Sequence, residues 1–138
     1  MHAQTADQFV QAGLSHHQAG RLEQANSAYQ QALSLNPNHP DALHLLGMLA
    51  HQVGDHEFAA DLINLALHAT PNSAVFLCNL GNVLQAQGKH AEAIQSFRKA
   101  IAIDANNAVL HFNLACPLQT QKQLSAAAAC YRQAITLA

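Results

Sequence analysis

Apolar residues recur along the chain at the three- and four-residue spacing of amphipathic helices. Leu43, Leu46 and Ala50 follow this spacing in one stretch, and Ala59 and Leu62 begin it again in the next. A helix with such spacing buries one stripe of its surface and leaves the remainder in water. The pattern therefore predicts a succession of amphipathic helices.

The helical pattern repeats with a period of 34 residues, which is typical of stacked helix pairs. Glycine, alanine and bulky residues each keep their place from copy to copy. These positions are Gly13, Gly47 and Gly81; Gly20, Gly54 and Gly88; Ala25, Ala59, Ala93 and Ala127; Ala32, Ala66, Ala100 and Ala134; and Tyr29, Ile63, Phe97 and Tyr131. Because several residue types keep the same position in each 34-residue copy, the sequence predicts a repeat architecture of four copies.

Each copy is predicted to fold as a helix, a tight turn and a second helix. Glycine inside a helix costs about 1 kcal/mol relative to alanine, so the glycines of the first helix need an offsetting reason. Close approach of the neighbouring helix supplies one, and the bulky column then fills the space that the small residues leave. Gly20 and its equivalents follow the first helix, where a left-handed C-terminal cap suits glycine. Asn36-Pro37 ends the second helix.

These residues closely resemble the tetratricopeptide repeat family, whose members are stacks of such helix pairs. The third copy, with Asn79-Leu80-Gly81-Asn82 ahead of Phe97-Arg98-Lys99-Ala100, is the nearest match. The resemblance implies an all-α fold, a right-handed α-solenoid of stacked antiparallel helix pairs with eight helices. It implies a single domain over residues 1–138, with repeats at 6–39, 40–73, 74–107 and 108–138.

The fourth copy departs from the pattern. Ala115 replaces the packing glycine and Lys122 replaces the turn glycine. Pro117 falls within the first helix, where its ring clashes with the carbonyl of Asn113 at a cost of about 3 kcal/mol or more, so a kink is predicted there. No capping helix follows Ala138, so the array looks truncated at this end. The last helix is therefore expected to expose Cys130, Tyr131, Ile135 and Leu137 and to drive self-association.

The family resemblance implies that function lies on a concave groove formed by the first helices. The candidate peptide-binding residues are His17, His44, Met48, His51, Asn79, Asn82, Gln85, Phe112, Asn113 and Cys116. Asn79 and Asn113 are one period apart and would stack as two rungs of a ladder. An amide side chain both donates and accepts hydrogen bonds, so such a ladder can hold the backbone of an extended peptide. The alternative is that these asparagines merely bond adjacent turns.

Charge narrows the class of partner. Charged residues make up 10% of the chain and the net charge is −2, which disfavours nucleic-acid binding because phosphates are bound by a basic face. All six basic residues are predicted to lie in turns or second helices. Relatives that hold acidic tails place lysine and arginine in the groove, so a carboxylate clamp is disfavoured. A protein partner with a neutral extended or helical segment is favoured.

Candidate chemistry in the sequence is sparse. No apolar stretch approaches the length of a membrane span, and three cysteines without a CxxC pair indicate reduced thiols in a cytoplasmic protein. Ten histidines suggest partner binding that is sensitive to pH at about pH 6. His44 and His51 are roughly 10 Å apart by helical rise, too far to share one metal ion. Neither metal nor cofactor is expected.

No motif of an enzyme active site is present, so the chain is predicted to be a non-catalytic scaffold for protein–protein interaction. Its repeats also resemble those attached to bacterial glycosyltransferases similar to O-linked N-acetylglucosamine transferase. That resemblance leaves a second function open, in which the chain is the substrate-recognition arm of a larger enzyme.

Overall fold

The computed structural model describes residues 3–138, and within that range the chain forms α-helices and no strand. The helices are α1 (Ala6–Gln18), α2 (Leu22–Leu35), α3 (Pro40–Gln52), α4 (His56–Ala69), α5 (Ala74–Ala86), α6 (His90–Ile103), α7 (Ala108–Thr120) and α8 (Leu124–Leu137). Each odd-numbered helix packs closely against the helix that follows it. The predicted all-α fold with eight helices is confirmed.

The helix pairs fall into two compact units. Unit 1 ends at Pro71 and contains α1 to α4, and unit 2 begins at Asn72 and contains α5 to α8. In unit 1, α3 packs on α2 and touches α1, and in unit 2, α7 packs on α6 and touches α5. Each unit is therefore two helix hairpins side by side, with the first helix of one hairpin covering the second helix of the other. The single-domain organisation and the repeat boundaries stay predictions.

Side chains fix the starts of the first helices. Thr5 and Gln8 form a reciprocal capping box at α1, and Ser73 caps α5. At α3 the ring of His39 accepts the Ala42 N–H through Nδ1. Its other nitrogen, Nε2, therefore carries hydrogen and donates to Asp7 Oδ1 at 2.6 Å. Because Asp7 lies on α1, this bond ties the start of the second hairpin to the first.

The predicted close approach is confirmed in the hairpins that contain a packing glycine. A Cβ atom built on Gly13 would lie 2.5 Å from Cε1 of Tyr29, and one on Gly81 would lie 2.6 Å from Cε1 of Phe97. Tyr29 and Phe97 are fully buried. The glycines thus let the two helices of a hairpin approach until a large ring fills the remaining space.

The turns between the helices of a hairpin use the left-handed backbone, as predicted. Gly20, Gly54 and Gly88 have φ of 79°, 91° and 76°. The equivalent residue of the last hairpin is Lys122, with φ of 61°. A residue with a Cβ pays roughly 1–2 kcal/mol for this conformation, whereas glycine adopts it freely. The last hairpin therefore contains a strained turn.

Lys122→Gly is expected to raise the free energy of unfolding by about 1 kcal/mol, because it relieves this strain at the expense of some unfolded-chain entropy. Urea denaturation followed by circular dichroism measures the change. Lys89→Gly is the control, since Lys89 precedes α6 with φ of −88° and carries no such strain. A Lys122→Gly variant no more stable than the parent would contradict the prediction.

The helix that contains Pro117 is continuous in the structure. Helix α7 runs from Ala108 to Thr120, the same length of 13 residues as α5, and Pro117 is buried within it. Pro117 has no N–H to bond to the Asn113 carbonyl four residues earlier, and close by Thr120 Oγ1 donates to the Cys116 oxygen at 3.1 Å. Proline removes one hydrogen bond without ending the helix here, and the kink stays a prediction.

Candidate functional site

The ten predicted binding residues all lie on first helices, and each unit brings together its own set. Unit 1 holds four of them on α1 and α3, and unit 2 holds six on α5 and α7. We call these surfaces the unit 1 face and the unit 2 face. The unit 1 face comprises His17, His44, Met48 and His51, and the unit 2 face comprises Asn79, Asn82, Gln85, Phe112, Asn113 and Cys116.

A histidine joins α1 to α3 on the unit 1 face. His17 Nε2 lies 2.7 Å from Gln52 Oε1, and because that oxygen can only accept, Nε2 donates. The other ring nitrogen, Nδ1, is then free of hydrogen in the neutral ring and accepts from the hydroxyl of Tyr29 at 3.4 Å. Gln52 was not among the predicted site residues. Its one signal in the sequence is its place at the end of the same helix as His51.

Burial affects two further histidines of the unit 1 face. His51 Nδ1 is 2.9 Å from Nδ1 of His56 at the start of α4, so one ring donates and the other accepts. Burial lowers the pKa of His51, and the nearby His56 lowers it further. His44 is buried, which lowers its pKa, and the negative charge of Asp41 opposes this in part. Both rings are therefore held toward the neutral form.

The lowered pKa values make stability depend on pH. A histidine whose pKa is lower in the folded chain binds protons more readily when the chain is unfolded. Its contribution to the free energy of unfolding is therefore complete above the unfolded pKa of about 6.5. As the pH falls through that value toward the folded pKa of His44 and His51, the free energy of unfolding should decrease. Thermal denaturation between about pH 8 and about pH 5 measures this slope.

His44→Gln and His51→Gln are each expected to flatten that slope, because the variant side chain does not titrate. His68→Gln is the control, since His68 is exposed on α4. A slope that is unchanged in both variants would show that other groups carry the acid sensitivity.

Amide side chains converge on a thiol in unit 2. Asn113 Nδ2 on α7 lies 3.6 Å from Sγ of Cys78 on α5, and Asn82 Nδ2 lies 4.0 Å from the same sulfur. Burial raises the pKa of the Cys78 thiol, and the bond from Asn113 opposes this. The Asn82 contact spans adjacent turns of one helix, which is the alternative role considered for these asparagines. The stacking of Asn79 with Asn113 stays a prediction.

Gln85 connects three helices of unit 2. Its Nε2 donates to Sγ of Cys116 on α7 at 3.3 Å, and its Oε1 accepts from Nδ1 of His90 on α6 at 2.8 Å. Cys116 is exposed, and Cys78, Cys116 and Cys130 are all free thiols. Three amide groups of this face, those of Asn82, Gln85 and Asn113, thus donate to thiol sulfur.

Large apolar side chains stand exposed beside these amides. Phe112 is 58% exposed and meets Tyr131 of α8 edge to face, with ring centroids 5.7 Å apart. The Tyr131 hydroxyl donates to Gln119 Oε1 at 3.1 Å. Val75 and Val109 are also mostly exposed. The two valines were not predicted, although their signal is clear: they are one period apart, and each precedes a residue of the face by one turn.

The unit 2 face carries no formal charge at neutral pH. Helices α5 and α7 contain neither Asp, Glu, Lys nor Arg. The prediction that all six basic residues lie in turns or second helices is confirmed, since they are Arg21, Lys89, Arg98, Lys99, Lys122 and Arg132. Within residues 3–138, no three His, Cys, Asp or Glu side chains gather as metal ligands. In the same range no helix has the length and apolarity to cross a bilayer.

Comparison with known proteins agrees with this architecture. Family models of the tetratricopeptide repeat match residues 10–74, 74–107 and 108–138. No curated protein sequence matches the chain.

Solved structures resemble the chain over almost its full length. A crystal structure of MamA matches 96% of this chain and 77% of its own, with a TM-score of 0.89 at 17% identity. A MamA chain from Desulfovibrio magneticus RS-1 matches 96% of this chain and 75% of its own, with a TM-score of 0.88 at 20% identity. The APC/C hetero-tetramer Cut9-Hcn1 matches 97% of this chain and 27% of its own chain, with a TM-score of 0.90 at 21% identity. At these identities the likeness shows the fold alone.

Proposed function

Because the chain belongs to the tetratricopeptide repeat family, we propose that it is a non-catalytic scaffold whose first helices bind a peptide segment of a partner protein. The unit 2 face is the primary site, and the segment it takes is uncharged and carries apolar side chains. The absence of formal charge from α5 and α7, beside exposed Phe112, is the observation that carries this proposal.

Desolvation explains why a neutral segment is favoured. A charged side chain brought against this face would lose water without meeting an opposite charge, which is costly. An apolar side chain against Phe112, Val75 or Val109 would instead remove hydrophobic surface from water on both partners. Aromatic residues often act as binding anchors of this kind.

The amide groups of the face are suited to exchange partners. The Nδ2 atoms of Asn82 and Asn113 and the Nε2 atom of Gln85 donate to sulfur. Sulfur is a weak acceptor, whereas a peptide carbonyl is a strong one. A bound backbone could therefore take over these donors at small cost, and the amides would fix the peptide without selecting its side chains.

An array of uncharged peptides, followed by calorimetric titration of the best binder, tests the proposal. Phe112→Ser is expected to weaken binding by at least about tenfold, and Asn113→Ala by about fivefold. Asn79→Ala and Gln85→Ala extend the test along the face. Ile103→Ser is the matched control, because Ile103 is an exposed apolar residue of the same unit on the second helix α6. Wild-type affinity in both Phe112→Ser and Asn113→Ala would place the site elsewhere.

A related role, that of a substrate-recognition arm within a larger enzyme such as a glycosyltransferase, would use the same face and stays a prediction. Its test is the sequence that flanks residues 1–138 in the gene, where a catalytic domain would have to be encoded.

We also propose that copies of the chain associate through α8. The residues of α6 equivalent to Cys130 and Tyr131 are Ser96 and Phe97, and both are buried in unit 2, where α7 packs on α6. Cys130 and Tyr131 are only half-buried, and Ile135 is 75% exposed. The face of α8 is thus apolar and less covered than the same face of α6. Self-association at this helix would remove it from water.

A further inference from the structure

Charge is divided unequally between the two units. Unit 1 contains six acidic residues and one basic residue, which gives −5 with neutral histidines, whereas unit 2 contains two acidic and five basic residues, which gives +3. The sole basic residue of unit 1, Arg21, already bonds to His16 through its Nε at 2.9 Å. Two surfaces of opposite sign attract each other and direct association. The chain therefore presents complementary halves to a second copy of itself.

An acid-rimmed apolar pocket lies in unit 1, on the side of its second helices. Its cavity has a volume of about 260 Å³ and is lined by side chains of α2, α3, α4 and the turn that precedes α4. The apolar lining consists of Leu22, Leu46, Leu49, Ala50, Val53 and Phe58, and the polar lining consists of Glu23, Asn26 and Asp55. Val53 is 63% exposed and Phe58 is 47% exposed. The pocket offers room for an aliphatic side chain below two carboxylates.

The face of α8 has the opposite character. It presents Cys130, Tyr131 and Ile135, and Arg132 is exposed beside them. Burial raises the pKa of the Cys130 thiol and the positive charge of Arg98 opposes this, so Arg98 lies near the same face. Helix α8 contains no Asp or Glu. Its face is therefore apolar with a basic border.

We propose that the face of α8 in one copy docks in the acid-rimmed pocket of unit 1 in a second copy, with Ile135 in the cavity and Arg132 toward Glu23. This inference rests on the proposed self-association and names the surface that α8 meets. Apolar surface meets apolar surface in this contact, and the basic border meets the acidic rim.

Two other arrangements between copies are less favourable. A symmetric contact of α8 with α8 would place the Arg132 side chains of both copies in one interface, and like charges there oppose binding. A contact of α8 with the outer side of α1 would place polar residues on the apolar face. Leu110 covers α6 as part of α7, and its equivalent in α1 is Gln8. The α1 equivalents of Asn113 and Pro117 are Gln11 and Ser15. All three of these α1 residues are exposed.

The contact joins two different surfaces, so each copy can bind two others. Association of this kind is heterologous and produces rings or open chains of copies rather than a closed symmetric dimer. It should also weaken as salt screens the attraction between the two units.

Analytical ultracentrifugation of the full chain tests the inference, with protein at up to about 300 µM in about 0.02 M and about 0.5 M salt. At low salt the weight-average mass is expected to exceed the monomer mass of 14.8 kDa, and it should fall at high salt. Glu23→Lys, Arg132→Glu and Ile135→Ser are each expected to weaken association by at least about tenfold. All three residues are exposed, so the variants should still fold.

The matched controls are Asp41→Lys and Lys99→Glu, which change the net charge by the same amounts at sites outside the two surfaces. The decisive measurement mixes two variants. Glu23→Lys retains the α8 face and Ile135→Ser retains the pocket, so an equimolar mixture should form complexes of two chains and nothing larger.

A wild-type chain that is monomeric at every concentration would overturn both the inference and the proposed self-association. A wild-type chain that associates, but as strongly after Glu23→Lys or without forming the mixed complex, would overturn the inference alone. The peptide-binding proposal stands apart from both results.

Discussion

Phe97→Ala is expected to lower the free energy of unfolding by about 3–5 kcal/mol, the largest loss foreseen for any single substitution in this chain. The Phe97 ring is 1% exposed and lies directly against Gly81. Alanine would remove the whole ring from the core of unit 2 and leave a cavity between α5 and α6. The neighbouring helices cannot close that gap without losing their other contacts, because protein interiors are already close-packed.

The matched control is Tyr131→Ala, the same position one repeat later. Tyr131 is half-buried, and its named contacts are the edge of Phe112 and a hydrogen bond to Gln119. Its loss should cost only about 1–2 kcal/mol. Urea denaturation followed by circular dichroism compares the two variants, and equal losses would show that burial at this position does not determine stability.

The repeat period carried most of the information about the fold. Gly81 and Phe97 are 16 residues apart in the sequence, and the same separation joins Gly13 to Tyr29. A small residue and a bulky one at a constant separation indicate that two helices pack with those positions in contact. This is a property of the backbone and of residue size, so it can be read from a single sequence.

The fourth copy shows where such a pattern stops being sufficient. The period marks Lys122 as a turn residue, and its backbone is left-handed like that of the turn glycines. The same chain tolerates Pro117 within a continuous helix. In both cases the packing of the hairpin sets the backbone, and the local preference of one residue is overridden at a cost in stability.

For the candidate site, the sequence predicted which helix faces carry the binding residues, but not the contacts of those residues. The first helices and their neutral, amide-rich character follow from the period and the composition. The partners of those side chains do not, because the bond of His17 to Gln52 and that of Asn113 to Cys78 join residues 35 apart rather than 34. Each depends on which rotamer the neighbouring helix permits. The unequal charge of the two halves can be counted in the sequence. It indicates a contact between copies only together with the pocket that Glu23 borders, which is seen in the structure.

Gly81→Ala is expected to lower the free energy of unfolding by about 1–3 kcal/mol, although alanine is the better helix former by about 1 kcal/mol. The added methyl group would lie 2.6 Å from Cε1 and 2.7 Å from Cζ of Phe97. Real Cβ atoms do not approach other heavy atoms so closely, so either the ring or the helix must move. The ring is fully buried and has no free space to enter, so the strain passes to the contact of α5 with α6.

A double-mutant cycle separates this clash from any intrinsic effect of alanine. In the Phe97→Leu background the side chain is smaller and more flexible, so Gly81→Ala should cost much less there, or even stabilise the helix.

Ala115→Gly is the natural counterpart, because Ala115 is the equivalent residue of α7 and is fully buried. There the facing residue Tyr131 is half-buried, and its ring lies against Phe112. Glycine at 115 should therefore destabilise by about 1 kcal/mol, the helix-propensity cost, with no packing gain. Gly81→Ala could also lower the free energy of unfolding equally in the parent chain and in the Phe97→Leu variant. That result would mean that the glycine is needed for the backbone conformation and not for the close approach of the ring.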